Sequence, residues 1–202
     1  MDNKQTKIIY VLAFPVVLTV GIILIPVVAD YGDHRLAEAA VGQTMRWYLG
    51  HIIAAVGFAL AILAVTAIDV YLRQAGRALP PLTLTLVTVG AGLYAAGLGA
   101  DGIGPVAVQT SGESPIIFFD GSTMWVTGLF VLGTIVFGMG LLLLVIGSSR
   151  LELLVGNGRY LAFISTLVFM VAPAILVGWA LYGVALASFG IFVPFAIALK
   201  QD

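Results

Sequence analysis

The side chains best placed for chemistry are a histidine and an aspartate that lie in or beside apolar stretches. His51 comes shortly after the aromatic pair Trp47 and Tyr48, near the start of one such stretch. Asp101 closes another stretch, in the run 101–105, which reads Asp-Gly-Ile-Gly-Pro. Ionisable groups are expensive within a membrane, so each is a functional hypothesis by default. The imidazole is a candidate to handle a proton or to ligate a metal or haem; alternatively, it is an interfacial histidine bonded to a carbonyl or water.

The run 101–105 predicts that a helix ends or unwinds at Asp101, because two glycines and a proline follow it. Broken helices at membrane depth often line cavities, whereas the plainer interpretation is a helix terminus followed by a turn. A carboxylate at a helix C-terminus is unfavourable because the dipole is negative there. We therefore expect Asp101 to have a partner, either Arg46 or His51.

Both histidines and most carboxylates lie on the side that we predict to be outside the cell. A hard cation or copper could bind such a group. However, no ligand spacing points to one metal, and the neighbours Asp33 and His34 are too weak a signal by themselves. A haem held by two histidines is disfavoured, because only His51 is placed within the membrane. We predict no cofactor and an ordinary solvated acidic surface, with metal or haem as the alternatives. The candidate functional residues are His51, Asp101, Arg46, His34 and Asp33.

Recognised catalytic patterns are missing from the sequence. It has no P-loop, no Gly-x-Ser-x-Gly, no His-Glu-x-x-His and no cysteine. Residues 97–102 fit Gly-x-Gly-x-x-Gly by letter, but they follow no strand and lie within a predicted membrane helix. Asp69 and Arg73 are four residues apart, which favours an ion pair on one helical face. An enzyme is therefore the less favoured class.

The amino-acid composition indicates the environment in which the chain folds. Of 202 residues, 61% are hydrophobic and only 9% charged, against roughly 25% charged in soluble domains. Such a chain needs lipid around it. Its net charge of −1 gives no attraction to nucleic acid. We predict one all-α transmembrane domain over 1–202, a six-helix bundle in the inner (cytoplasmic) membrane.

Apolar segments long enough to cross a bilayer set the number of spans. Residues 160–199 form 40 residues without a charge, which suits two helices joined by a turn between Gly178 and Gly183. The six predicted spans are approximately 8–29, 48–71, 81–101, 124–147, 160–177 and 183–199.

Basic residues predict the orientation. With both termini in the cytoplasm, seven Lys and Arg lie inside and only Arg35 and Arg46 outside, in agreement with the positive-inside rule. All three tryptophans, Trp47, Trp125 and Trp179, then fall at outer ends of spans, where amphipathic rings settle.

Small residues predict where helices pack closely. Gly92, Ala96, Ala100 and Gly104 form a four-residue repeat in the third span, and the second span carries similar pairs at 50/54 and 57/61. We expect these two spans at the packed centre of the bundle; alternatively, the small residues form a docking face for another subunit. The long predicted loop 102–123 contains the apolar run 115–119, which suits either a partner contact or a lid over the bundle.

These features lead to three hypotheses about function. The short termini, the small-residue faces and the lack of midplane chemistry favour a non-enzymatic accessory or structural subunit of a larger membrane complex. The expected partners are the lipid bilayer and other membrane subunits or further copies of the chain, not nucleic acid. One alternative is a small transporter or channel with a site near the outer mouth. Another is an outward-facing redox or metal-binding membrane protein.

Overall fold

The computed structural model of the chain describes residues 4–175 and 177–201, apart from the side chains at 122 and 123. Residue 176, inside the predicted span 160–177, lies outside this description. Every regular element in the described ranges is helical. The helices are α1 (Lys4–Leu24), α2 (His34–Val41), α3 (Thr44–Gln74), α4 (Leu82–Thr110), α5 (Ile116–Arg150), α6 (Gly156–Val171) and α7 (Ala180–Gln201), and a 3₁₀ turn, Ala172–Ala174, follows α6.

Five of the helices in the described ranges, α1, α3, α4, α5 and α7, are long and apolar enough to cross a membrane. α6 is shorter, at 16 residues. Each of the six segments expected from hydropathy contains a helix, although α1 ends at Leu24, before the predicted bound at residue 29. The predicted turn is displaced, because it occupies the residues just before Ala180 and Gly183 lies within α7. Gly178 is part of this turn, and its N–H donates to the carbonyl of Val28 at 2.7 Å.

The long helices form a closed ring in chain order. α1 packs against α3 and α7, α4 lies between α3 and α5, and α6 lies between α5 and α7. The short α2 packs on α3, α4 and α5 at one end of this ring. We call this the α2 end. It carries a second, smaller hydrophobic cluster that includes Trp47, Val41 and Phe119.

Aromatic side chains fill the axis of the ring. Among the described residues, α1, α3, α4, α5, α6 and α7 each contribute at least one buried ring to this axis, namely Phe14, Phe58, Tyr94, Phe137, Phe169 and Phe192. Phe58 stacks on Tyr94 with ring centroids 4.1 Å apart, and edge contacts link the other rings to one another. Aromatic pairs favour such stacked and edge-to-face arrangements. Aromatic side chains therefore fill the centre of the bundle at the depth of these rings.

Small residues allow the closest helix contacts, as predicted for α3, but the partner of α3 is α1. A Cβ on Gly57 would come within 2.9 Å of the Leu18 backbone, and one on Gly50 within 2.7 Å of the Ile25 backbone. A Cβ on Gly21 of α1 would similarly meet the backbone of Ala54. Close backbone approach of this kind provides dispersion contacts where lipid offers no hydrophobic drive.

The predicted packing of the third-span stripe is wrong. Ala96 is exposed, and an added Cβ on Gly92 would meet no atom within 4 Å. A different face of α4 packs on α5, where a Cβ on Gly90 would come within 2.4 Å of the Phe137 backbone. Since side chains repeat every 3.6 residues, a strict four-residue stripe drifts around the helix and does not stay on one contact face. Of its two glycines, Gly104 at the end of the stripe faces a neighbour, Phe118, whereas Gly92 does not.

The predicted loop 102–123 is also wrong. α4 continues through Pro105 to Thr110, and α5 begins at Ile116, so only 111–115 connect them. A proline within a helix removes one backbone hydrogen bond, and the helix persists where another donor replaces it. Asp101 is therefore inside α4, and the argument from a helix C-terminus does not apply to it.

Two further features of the α2 end differ from expectation. α2 itself was not predicted, because one eight-residue helix with a single apolar face is too short to register as a span. Trp47 is fully buried, whereas Trp125 and Trp179 are 74% and 64% exposed. The interfacial interpretation therefore fits two of the three tryptophans.

Candidate functional site

The site at the α2 end is built around the backbone carbonyl of Asp101, which receives no hydrogen bond from the residue four positions later in its own helix. Pro105 has no N–H, so the carbonyl of Asp101, four residues earlier, receives no hydrogen bond from it. The indole Nε1–H of Trp47 on α3 donates to this carbonyl at 2.8 Å. Trp47 therefore satisfies a buried acceptor that would otherwise destabilise the fold. This explains both the burial of Trp47 and the continuity of α4.

His51 lies one helical turn after Trp47 and faces the same residue of α4. Its Nδ1 is 2.7 Å from the carbonyl oxygen of Trp47, and its Nε2 is 3.3 Å from Oδ2 of Asp101. Its side chain is 3% exposed, against 18% for Asp101. The expectation that Asp101 has a partner is thus confirmed for His51.

Gly102 permits this close approach of α3 and α4. A Cβ added at Gly102 would lie 2.6 Å from the Cβ of His51. Real carbon atoms do not approach so closely, and both Cβ atoms are fixed to helical backbone. A glycine next to Asp101 is thus a requirement of the His51–Asp101 contact.

Arg46, the other predicted partner, is directed elsewhere. Its Nε donates to the carbonyl of Leu24 at 3.2 Å, and Nη1 donates to the side chain of Gln43 at 2.8 Å. Leu24 ends α1, where the last carbonyls have no helical donor. Arg46 therefore caps α1, and the prediction that it could pair with Asp101 is not met.

Tyr31, in the connection between α1 and α2, is the other titratable group near Asp101. Burial is the main reason that the pKa of the Tyr31 phenol is raised above its ordinary value, and the negative charge of Asp101 raises it further. Tyr31 therefore stays neutral and adds no charge to the site. The sequence contained no signal for it, since the residue lies in an irregular segment.

The remaining candidates, Asp33 and His34, hold α2 in place. The carboxylate of Asp33 caps α2 by accepting a hydrogen bond from the N–H of Arg35 at 3.0 Å. His34 Nδ1 lies 2.6 Å from Oδ1 of Asp120 on α5. The structure thus separates Asp33 and His34 from His51 and Asp101, and gives the first pair a structural task.

Aromatic rings connect the two histidines across the α2 end. The ring centroid of His34 is 6.0 Å from that of Phe119, which is 6.1 Å from that of Trp47. The Trp47 ring is in turn 4.5 Å from His51. Both histidines of the chain therefore lie beside one aromatic group, each paired with a different aspartate.

No group of three or more metal-ligating side chains occurs within residues 4–175 and 177–201. The two His–Asp pairs supply two ligands each, fewer than the four of a structural zinc site or the three protein ligands typical of a catalytic one. The chemistry available to the His51–Asp101 pair from its own groups is to hold or exchange a proton.

The opposite end of the bundle carries a plain ion pair. Arg73 Nε donates to Oδ2 of Asp69 at 2.7 Å, which confirms the predicted pairing on one face of α3. Lys7 of α1, largely buried, donates to the side chain of Gln74 and lies over the Tyr71 ring. These contacts fix the end of α3 against α1.

No family model, curated protein or solved structure matches this chain. Its class therefore depends on the fold: five long apolar helices within the described residues indicate a multi-pass membrane protein. Within that class, the distinguishing feature of this bundle is the buried His51–Asp101 contact at the α2 end.

Proposed function

We propose that this chain is a non-enzymatic, six-span subunit of a larger membrane complex. The observation that carries the proposal is the solid axis, where one aromatic ring from each of the six long helices described contacts its neighbours. A bundle filled in this way leaves no passage along its centre for a substrate. A structural or docking role is the one that such packing suits best.

The outward face of α4 supports a docking role. Gly92 and Gly99 lie seven residues apart with no atom within 4 Å of an added Cβ, and exposed Ala96 lies between them. Small residues let another helix approach closely in lipid. The proposed occupant is a transmembrane helix of another polypeptide of the complex.

The alternatives meet specific obstacles. A transporter with its site near the outer mouth would have His51 and Asp101 in place, but the rings of Phe58 and Tyr94 would have to separate before a solute could pass. A redox or metal-binding protein would need further ligands beside the pairs at the α2 end. The subunit proposal requires neither change.

The sixth span is supported by the length of α6 together with its 3₁₀ turn. Sixteen α-helical residues extend about 24 Å, and three 3₁₀ residues add about 6 Å, close to the roughly 30 Å of a bilayer core. Their position between α5 and α7 in the ring also favours a full crossing. With six crossings, both termini lie on the basic, cytoplasmic side of the inner membrane.

Single-cysteine labelling tests this topology, and the natural chain contains no cysteine to remove. The exposed positions Glu113, Asn157 and Gln201 are changed to cysteine one at a time and treated with a membrane-impermeant maleimide. We expect Glu113→Cys to react in intact cells, and Asn157→Cys and Gln201→Cys only after permeabilisation. Opposite accessibility of the last two variants would show that α6 does not cross.

Native mass spectrometry of the chain, extracted in mild detergent, tests the subunit proposal. We expect a second polypeptide bound to the natural chain and lost from Gly92→Leu and Gly99→Leu. These substitutions fill space outside the fold, so the bundle itself should remain intact. Ala59→Leu, at an exposed alanine of α3, is the matched control and should retain the partner. A solitary monomer, or loss from the control as well, would contradict the proposal.

A further inference from the structure

We infer that His51 and Asp101 form a buried proton-binding site, in which one proton on His51 Nε2 holds α3 and α4 together at the α2 end. The ligand of this site is the proton itself. The inference goes beyond the subunit role and does not depend on it, because it concerns only residues inside this chain.

Hydrogen-bond chemistry requires the proton. A backbone carbonyl can only accept, so the 2.7 Å contact between His51 Nδ1 and the Trp47 oxygen fixes a hydrogen on Nδ1. A neutral ring would then carry its bare lone pair on Nε2. That lone pair would face Oδ2 of Asp101 at 3.3 Å, and a carboxylate oxygen also has no hydrogen to give. The contact is attractive only when a proton is bound between the two groups.

The relative basicity of the two groups favours a charged pair. Imidazole is a stronger base than a carboxylate, so a proton shared by the two groups resides on Nε2. The Nε2–Oδ2 separation of 3.3 Å is that of a close ion pair, longer than a charge-assisted hydrogen bond. Burial of His51 disfavours a charge on its ring, and the adjacent carboxylate offsets this cost through an attraction that the low local dielectric strengthens. The partial exposure of Asp101 provides the route by which the proton exchanges with solvent.

The neighbouring charged groups leave this pair undisturbed. On the segment before α2, Tyr31 is neutral because its pKa is raised. From α2 and α5, His34 and Asp120 bind one another, and Glu38 accepts from the hydroxyl of Ser114. On α3 itself, Arg46 is directed to α1. The proton on His51 therefore responds mainly to Asp101.

Release of the proton would have a mechanical consequence. The Nε2 lone pair would then lie against the carboxylate, at the point where Gly102 allows the two backbones to approach closely. The expected response is separation of α3 from α4 at this end. Trp47, bonded to the Asp101 carbonyl and in contact with His51, would move with them.

Nitrogen NMR of histidine-labelled protein in nanodiscs tests the site directly. The chain has two histidines, so His34→Gln leaves His51 as the sole signal. We expect both ring nitrogens of His51 to be protonated. Adding Asp101→Asn, which keeps the shape of the side chain, should leave Nδ1 protonated and convert Nε2 to an unprotonated nitrogen. A neutral ring in the single variant, or a spectrum unchanged by Asp101→Asn, would overturn the inference.

Trp47 fluorescence provides a second readout that does not need labelling. In a chain carrying Trp125→Phe and Trp179→Phe, both at exposed positions, Trp47 is the remaining tryptophan. A charged imidazolium in ring contact quenches indole emission, so we expect emission to rise in His51→Gln. Ala59→Leu serves as the control for general perturbation of α3. Equal emission with and without His51 would contradict a charged ring.

Discussion

The indole of Trp47 donates to the backbone carbonyl of Asp101 at 2.8 Å, and this carbonyl is the one that Pro105 deprives of its helical donor. The hydrogen bond thus joins a side chain of α3 to the gap in α4. It allows α4, a helix of 29 residues, to continue through the proline to Thr110.

We expect Trp47→Phe to destabilise the protein by about 1–3 kcal/mol beyond the packing loss, since it leaves the Asp101 carbonyl buried and unsatisfied. Pro105→Ala should reduce this cost, because alanine restores the backbone N–H. Thermal unfolding of the two single variants and the double variant in one detergent measures the coupling. Strictly additive losses would show that the carbonyl does not depend on Trp47.

Gly102 should tolerate no side chain. Gly102→Ala places a carbon 2.6 Å from the Cβ of His51, so we expect a loss of roughly 1–3 kcal/mol from the forced shift of α3. Gly99→Ala on the same helix meets no atom within 4 Å and should be neutral or stabilising by up to about 1 kcal/mol. Thermal unfolding of both variants gives the comparison. Similar behaviour at the two positions would contradict the close contact of α3 and α4.

Tyr31 should make the protein less stable in alkaline solution. Its pKa is raised in the folded protein above its ordinary value of 10.0, so the phenol ionises more readily in the unfolded chain. The folded state then loses stability as the pH rises above about 10, where only the unfolded chain releases the proton. Tyr31→Phe should show a shallower decline in melting temperature across this range, with little difference below it. Parallel curves for the two proteins at high pH would contradict the raised pKa.

Hydropathy over about 20 residues predicted the apolar helices, five of which within the described residues are long enough to cross a membrane, because lipid favours such segments whatever the tertiary packing. Sequence reasoning also named His51 and Arg46 as candidate partners of Asp101, but it did so from a helix end at Asp101 that the structure does not have. It misplaced the end of α4 because a Gly-x-Gly-Pro run normally ends a helix. The side chains that rescue this run, Trp47 above all, come from a distant part of the chain, which local patterns do not reveal. The spacing of Pro105 four residues after Asp101 was the available signal for an orphaned carbonyl.

The sequence also did not predict which face of each helix packs against which other helix. The four-residue repeat of small residues on α4 was visible in the sequence, but the helix that packs against α4 was not. Gly90 packs against α5, while Gly92, only two residues later, faces outward. Two residues correspond to about 200° around a helix, so adjacent glycines serve opposite surfaces. The abundance of small residues therefore predicted close contacts between helices, but the structure was needed to show which helices make them.

The aromatic axis should make Phe58 the most sensitive of the compared phenylalanines. Its ring stacks on Tyr94 at 4.1 Å and contacts Phe137 at 5.4 Å, so Phe58→Ala opens a cavity at the centre of the bundle. A phenylalanine-to-alanine change in a water-soluble core costs roughly 3–5 kcal/mol. Here we expect a somewhat smaller loss, because the unfolded side chain stays in lipid and only the packing part is lost. Phe163→Ala, at a residue 38% exposed on α6, is the control and should cost far less. Thermal unfolding in one detergent compares them, and equal losses would show that the rings on the axis do not hold the bundle together.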